Sequence, residues 1–121
     1  MKYDCLYAIY NDRRYECSIE GENLIEIYGN RFDKGFEEFM GIYSKMISRN
    51  ECSRVYRKTL CFKYNNDNFL IREEKDNMVL LETGPRSYDL KKLGFTKILN
   101  DTFQKWVNIN EGEKYWAITE Y

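Results

Sequence analysis

The chain opens on alternation. Tyr3, Cys5, Tyr7 and Ile9 take every second position, and after the turn formers Asn11-Asp12-Arg13 the pattern resumes, with Tyr15, Cys17 and Ile19 set against Glu16, Ser18 and Glu20. A period of two puts successive side chains on opposite faces, which predicts the two strands of a hairpin. Gly21-Glu22-Asn23 leads into a third strand, Leu24 to Tyr28. With those three residues as the loop, Ile19 pairs with Ile25, Cys17 with Ile27, Ser18 with Glu26 and Glu16 with Tyr28. This register collects aliphatic residues on one face and carboxylates on the other, and a slip of one residue would mix them.

Past residue 35 the period lengthens. Phe36, Phe39, Met40, Tyr43, Met46 and Ile47 fit an i, i+3, i+4, i+7 stripe opposite Glu37, Glu38, Ser44, Lys45 and Arg49, with Asp33 placed as N-cap. That predicts a helix. Strands return at Val55 to Tyr64, Phe69 to Glu73 and Met78 to Thr83, separated by Asn65-Asn66-Asp67-Asn68 and Lys75-Asp76-Asn77, both dense in turn formers. Gly84-Pro85 stops this run, and Ser87 is placed to cap one turn through Leu90. Phe95, Ile98, Leu99, Phe103, Trp106 and Val107 form a second helical stripe, whose start stays open between Phe95 and Asp101 because Asn100-Asp101 interrupts it. Tyr115 to Glu120 reads as a closing strand. The predicted order is βββ-α-βββ-α-β: one α+β domain over residues 1–121, with two helices packed on a largely antiparallel sheet. The two triple-strand runs do not match residue for residue, so the sequence reads as free of internal repeats.

Composition narrows the chemistry. With 43% hydrophobic and 17% aromatic residues the chain has the material for a core, unlike disordered segments. It contains no histidine, which excludes an imidazole base, an imidazole metal ligand and a histidine pH switch. Asp4 breaks the N-terminal apolar run, and no apolar stretch is long enough to span a bilayer. The expected location is therefore cytoplasmic, with Cys5, Cys17, Cys52 and Cys61 reduced. No Cys-x-x-Cys pair occurs, and Gly84-Pro85-Arg86-Ser87 lacks the spacing of a phosphate-binding P-loop. No motif places a catalytic group, so the expectation is a non-enzyme without cofactor or metal.

Charge is uneven along the chain. Against a total of −1, residues 1–30 sum to −3, residues 31–72 to +4 and residues 73–121 to −2. The acidic set is Asp12, Glu16, Glu20, Glu22 and Glu26, with Tyr28 beside it in the proposed register. Such a set is either a solvated sheet face or a patch that docks on a basic protein surface and steers the approach of its partner. The basic set, Arg49, Arg54, Arg57, Lys58 and Lys63, is interleaved with Tyr56, Phe62 and Tyr64. Along strand 54–64 this offers an alternative of another class, a small nucleic-acid-binding module, although the chain lacks the strongly basic balance of such proteins.

Taken whole, a Tyr- and Asn-rich chain with acidic hairpins resembles the small immunity proteins of bacterial polymorphic-toxin and contact-dependent growth inhibition systems. The resemblance is one of overall type across 121 residues and includes no diagnostic motif, so it transfers no residue roles. It implies a protein that binds a cognate toxin domain, often a nuclease, and blocks its active site or substrate groove. The near-neutral charge departs from the strongly acidic nuclease inhibitors of this kind, which leaves the toxin's activity open. An anti-defence inhibitor encoded by a phage or mobile element is the alternative that uses the same surface physics. The site expected in either case is Asp12, Glu16, Glu20, Glu22, Glu26 and Tyr28.

Overall fold

A computed structural model describes residues 3–121, and these form eleven strands and two single 3-10 turns. The strands are β1 (Asp4–Tyr10), β2 (Arg13–Gly21), β3 (Leu24–Gly29), β4 (Glu37–Phe39), β5 (Ile42–Ser48), β6 (Cys52–Tyr64), β7 (Asp67–Lys75), β8 (Met78–Thr83), β9 (Thr96–Lys97), β10 (Phe103–Asn108) and β11 (Glu113–Glu120). No α-helix occurs among the described residues, so the expected α+β fold is replaced by an antiparallel β fold. Nor is any helix long and apolar enough to cross a membrane.

Both predicted helices are hairpins. Phe39 pairs with Ile42 around Met40-Gly41, whose φ angles are 51° and 82°. Asn100 and Asp101, at 50° and 46°, make the turn between β9 and β10. Two consecutive residues with positive φ favour a tight hairpin turn and exclude a right-handed helix. Asp33 caps no helix; its Oδ2 accepts the Asn30 amide at 2.7 Å and closes a loop. Asp89, not Ser87, holds the turn after Pro85, accepting the Lys91 amide at 2.9 Å. The predicted strands are present, and the β2/β3 register pairs Cys17 with Ile27, Ser18 with Glu26 and Ile19 with Ile25 as expected.

The described residues divide into two compact units: an N-terminal one of residues 4–58 with 118–121, and a C-terminal one of residue 3 with 59–117. In the N-terminal unit the strand order is β4-β5-β3-β2-β1, followed by the first part of β6. Its core is built from Leu6, Ala8, Cys17, Ile25, Ile27, Ile47, Cys52 and Val55. In the C-terminal unit the order is β9-β10-β8-β7 and the second part of β6, with β11 also pairing β6. There Leu60, Phe62, Phe69, Ile71, Val79, Leu81, Leu90, Phe95 and Val107 form the core.

The two units are built on one plan. Each is a three-stranded meander followed by a loop and a hairpin whose second strand joins the meander. Each hairpin ends in a 3-10 turn with a reciprocal cap, Ser48 with Glu51 and Asn108 with Glu111. The turn is tied back by the same bond, Arg49 N–H to Asn23 C=O at 3.1 Å and Ile109 N–H to Asn77 C=O at 2.9 Å. Tyr10 and Tyr64 end equivalent strands, and each accepts a hydrogen bond from an equivalent lysine, Lys45 at 3.0 Å and Lys105 at 2.7 Å. Ring packing recurs as well: Tyr15 to Phe36 at 5.4 Å matches Phe69 to Phe95 at 5.1 Å. The absence of repeats read from the sequence is thus corrected: the plan is duplicated although the side chains have diverged.

A candidate acidic face on the N-terminal unit

Pairing builds the site row by row. Residues opposite each other in an antiparallel pair project to the same side, and the registers join Tyr7, Glu16, Tyr28, Ser44 and Glu37 into one row across β1, β2, β3, β5 and β4. Ser18, Glu26 and Met46 form the next row. Both rows stand on the face opposite the core, because the alternate residues Ala8, Cys17 and Ile27 are buried.

The carboxylates are held in a hydrogen-bonded chain. Ser18 Oγ donates to Glu20 Oε1 at 2.5 Å and lies 2.9 Å from the Tyr28 hydroxyl, which donates to Glu26 Oε1 at 2.9 Å. Ser44 Oγ donates to Glu26 Oε2 at 3.2 Å. Cys5 Sγ donates to Glu16 Oε1 at 3.4 Å. The Ser18 hydroxyl pulls the Tyr28 pKa down, but burial and the bond and charge of Glu26, with the charge of Glu20, outweigh it and leave the phenol above its ordinary 10.0. Tyr28 therefore stays a neutral donor at neutral pH. A depression of about 370 Å³ beside this network is lined by Glu26, Gly35, Glu37, Ser44, Lys45 and Met46.

Of the expected site residues, the fold brings Glu16, Glu20, Glu26 and Tyr28 together on one face. Asp12 and Glu22 lie in the flanking turns, outside the network. Sequence reasoning missed Glu37, assigned there to the polar side of a helix, because its place follows from β4 pairing β5. It also missed a flank of arginines stacked on tyrosines on the same side. Arg14 lies 4.4 Å over the Tyr7 ring, Tyr7 packs on Tyr56 at 5.6 Å, and Arg54 lies 3.9 Å over Tyr56. Only the cross-strand register could have revealed that stack.

The basic strand is engaged within the protein. Arg54 donates to both oxygens of Glu120, Arg57 pairs with Asp4 at 3.0 Å, and Arg49 donates to the Tyr121 carbonyl at 2.7 Å. Tyr56 is 6% exposed, too little to offer a ring face to a base. Among the described residues no group of three or more His, Cys, Asp or Glu is placed to hold a metal ion.

The C-terminal unit gives an internal comparison. Its corresponding row reads Cys61, Leu70, Glu82, Gln104 and Thr96, so the shared plan does not require acids where Glu16 and Glu37 stand. No curated protein and no solved structure matches the chain. A family model matches residues 1–117, and the chain belongs to the family described as uncharacterised conserved protein UCP033725.

Proposed function

We propose that the protein is a non-catalytic inhibitor that docks the face formed by Glu16, Glu20, Glu26, Glu37 and Tyr28 on a basic surface of a protein partner. One observation carries this reading: the equivalent row of the C-terminal unit has Leu70 and Thr96 in place of Glu16 and Glu37. The shared plan therefore stands without Glu16 and Glu37, although that row keeps one acid, Glu82, where Tyr28 stands. Strand placement and the Ser18–Tyr28–Glu26 bonds fix the carboxylates before binding, which lowers the entropy cost of an interface, and tyrosine adds contact area with few rotatable bonds. Opposed charge steers encounter and aligns the partners. In the immunity form of this proposal the partner is a toxin domain and the protein acts in the cytoplasm.

The test is binding to a toxin domain encoded beside the gene, with growth rescue on co-expression. E16K/E20K is expected to weaken the complex at least about tenfold in low salt, with the difference shrinking as salt rises, and to lose rescue. Equal affinity of wild type and variant across the salt series would remove the acidic face from the interface. Rescue from a host defence system by a protein that ignores the neighbouring toxin would favour the phage form.

A further inference from the structure

The duplicated plan exposes a difference at the equivalent lysines. In the C-terminal unit the Lys105 ammonium has two acceptors, the Tyr64 hydroxyl at 2.7 Å and the Leu93 carbonyl at 2.7 Å. That carbonyl comes from the connection between Thr83 and Gly94, which also sends Leu90 into the core. The N-terminal connection, from Gly29 to Gly35, is five residues shorter, and no carbonyl from it accepts from Lys45. Lys45 donates to Tyr10 alone, at 3.0 Å, with two ammonium hydrogens left over. Beside it is a cavity of about 330 Å³.

The lining of that cavity has a definite charge and shape. Arg13, Lys34 and Lys45 supply three cations against one carboxylate, Asp33. Asp33 is already occupied, since one oxygen lies 3.5 Å from Arg13 and the other accepts the Asn30 amide. Two positive charges are therefore in excess, the complement of a phosphate monoester, which carries about −1.5 to −2 at neutral pH. Aromatic rings complete the walls: Tyr15 and Phe36 at the core side, and at the mouth Phe32, 81% exposed with only Arg31 over its ring at 4.8 Å. The volume lies at the small end of ligand pockets.

We propose that this cavity binds a small aromatic phosphate monoester of mononucleotide size, with Lys45, Arg13 and Lys34 around the phosphate and Phe32 against the ring. Lys45 lines both this cavity and the depression beside the acidic face, but Arg13, Lys34 and Phe32 line the cavity alone, so R13Q/K34Q tests this reading and E16K/E20K the other. The test is NMR titration of the full chain with phenyl phosphate and adenosine monophosphate, using inorganic phosphate for the charge alone. Gly35, Lys45 and Tyr10 are expected to shift while Gly94, Lys105 and Tyr64 stay still, and both esters are expected to bind at least about tenfold more tightly than phosphate. R13Q/K34Q should weaken binding by about tenfold or more, because charge-assisted bonds are lost; K34Q alone, which breaks no ion pair, should weaken it to a lesser degree. The proposal is overturned by silence up to about 10 mM ester, by equal shifts in both units, by inorganic phosphate binding as tightly as the esters, or by indifference to R13Q/K34Q.

Discussion

Gly112 gives the sharpest test of the packing. A Cβ at this position would collide with the Lys63 carbonyl oxygen and come within 2.7 and 3.0 Å of the Phe62 ring, which is fully buried. The backbone is extended there, with φ −168°, so alanine meets no conformational penalty and the cost is steric. Overpacking of this kind costs about 1–3 kcal/mol, and for a chain of this size that lowers Tm by about 4–15 °C. The equivalent position in the N-terminal unit is Cys52, buried beside Ala8, and Ala8 is the counterpart of Phe62. Small with large in one unit thus becomes large with none in the other. F62A alone should cost about 3–5 kcal/mol. In F62A/G112C the new side chain enters the space left by the ring, and the double variant should be more stable than the summed losses by about 0.5–3 kcal/mol. Gly84→Ala is the control: its Cβ meets nothing within 4 Å, so it should be neutral or gain up to about 1 kcal/mol. Thermal and urea unfolding by circular dichroism read all four variants and the single G112C that closes the cycle. Equal Tm for G112A and G84A, or strict additivity in the double variant, would refute the reasoning.

Arg86 donates to Thr83 Oγ1 at 2.8 Å, Asp67 Oδ1 at 3.0 Å and the Asn68 carbonyl at 2.8 Å, and R86M should cost about 2 kcal/mol in urea unfolding. The Asn68 amide, then the Tyr88 hydroxyl and Arg86, hold the Asp67 carboxyl below 3.8. Its contribution to stability is therefore fully present above pH 3.8 and lost as pH falls through the folded value, and that acid limb should shrink in R86M; an unchanged limb would exclude the contact. Burial pushes the Cys17 thiol from 9.0 up to about 11, with Cys52 and Cys5 adding to the shift. Native protein at pH 8 should leave Cys17 unmodified by a thiol reagent until it unfolds, and stability should decline between pH 9 and about 11, where the unfolded thiol ionises and the folded one does not. Rapid labelling of Cys17 in the folded state would contradict this.

How much of this was legible depends on which residues report on burial. Where alternation coincides with burial, as at Cys17, Ile25 and Ile27, the strands and their register follow from sequence. At 36–47 the two part company. Phe39, Met40 and Met46 are 76%, 85% and 47% exposed, so half of a stripe that looks like the buried face of a helix is surface. The two residues inserted at a hairpin turn change the phase of the alternation, and two short alternating runs out of phase imitate a period near 3.6. Asn100-Asp101 carried the opposite signal. Like Asn11-Asp12, Asn65-Asn66 and Asp76-Asn77 it is a pair of residues that tolerate positive φ, and two such residues between apolar runs mark a hairpin. Phe103, Trp106 and Val107 obscured it.

The duplication escaped for a different reason, and that reason bears on function. Equivalent residues are 54 apart through the meander, as in Tyr10 and Tyr64, 59 apart at Gly35 and Gly94, and 60 apart from Lys45 and Lys105 onward. No fixed offset aligns the halves. Where they do align, interactions persist while residues trade places: Arg13 on the strand pairs with Asp33 in the loop, whereas Asp67 on the strand pairs with Arg86 in the loop. A residue-by-residue comparison scores each exchange as two mismatches, although the ion pair is retained. Differences that leave no such compensation are therefore the informative ones. Glu16 and Glu37 facing Leu70 and Thr96 in the corresponding row are of this kind, and so is Lys45 with one acceptor where Lys105 has two. Both lie on the N-terminal unit, and the two proposals are placed there for that reason.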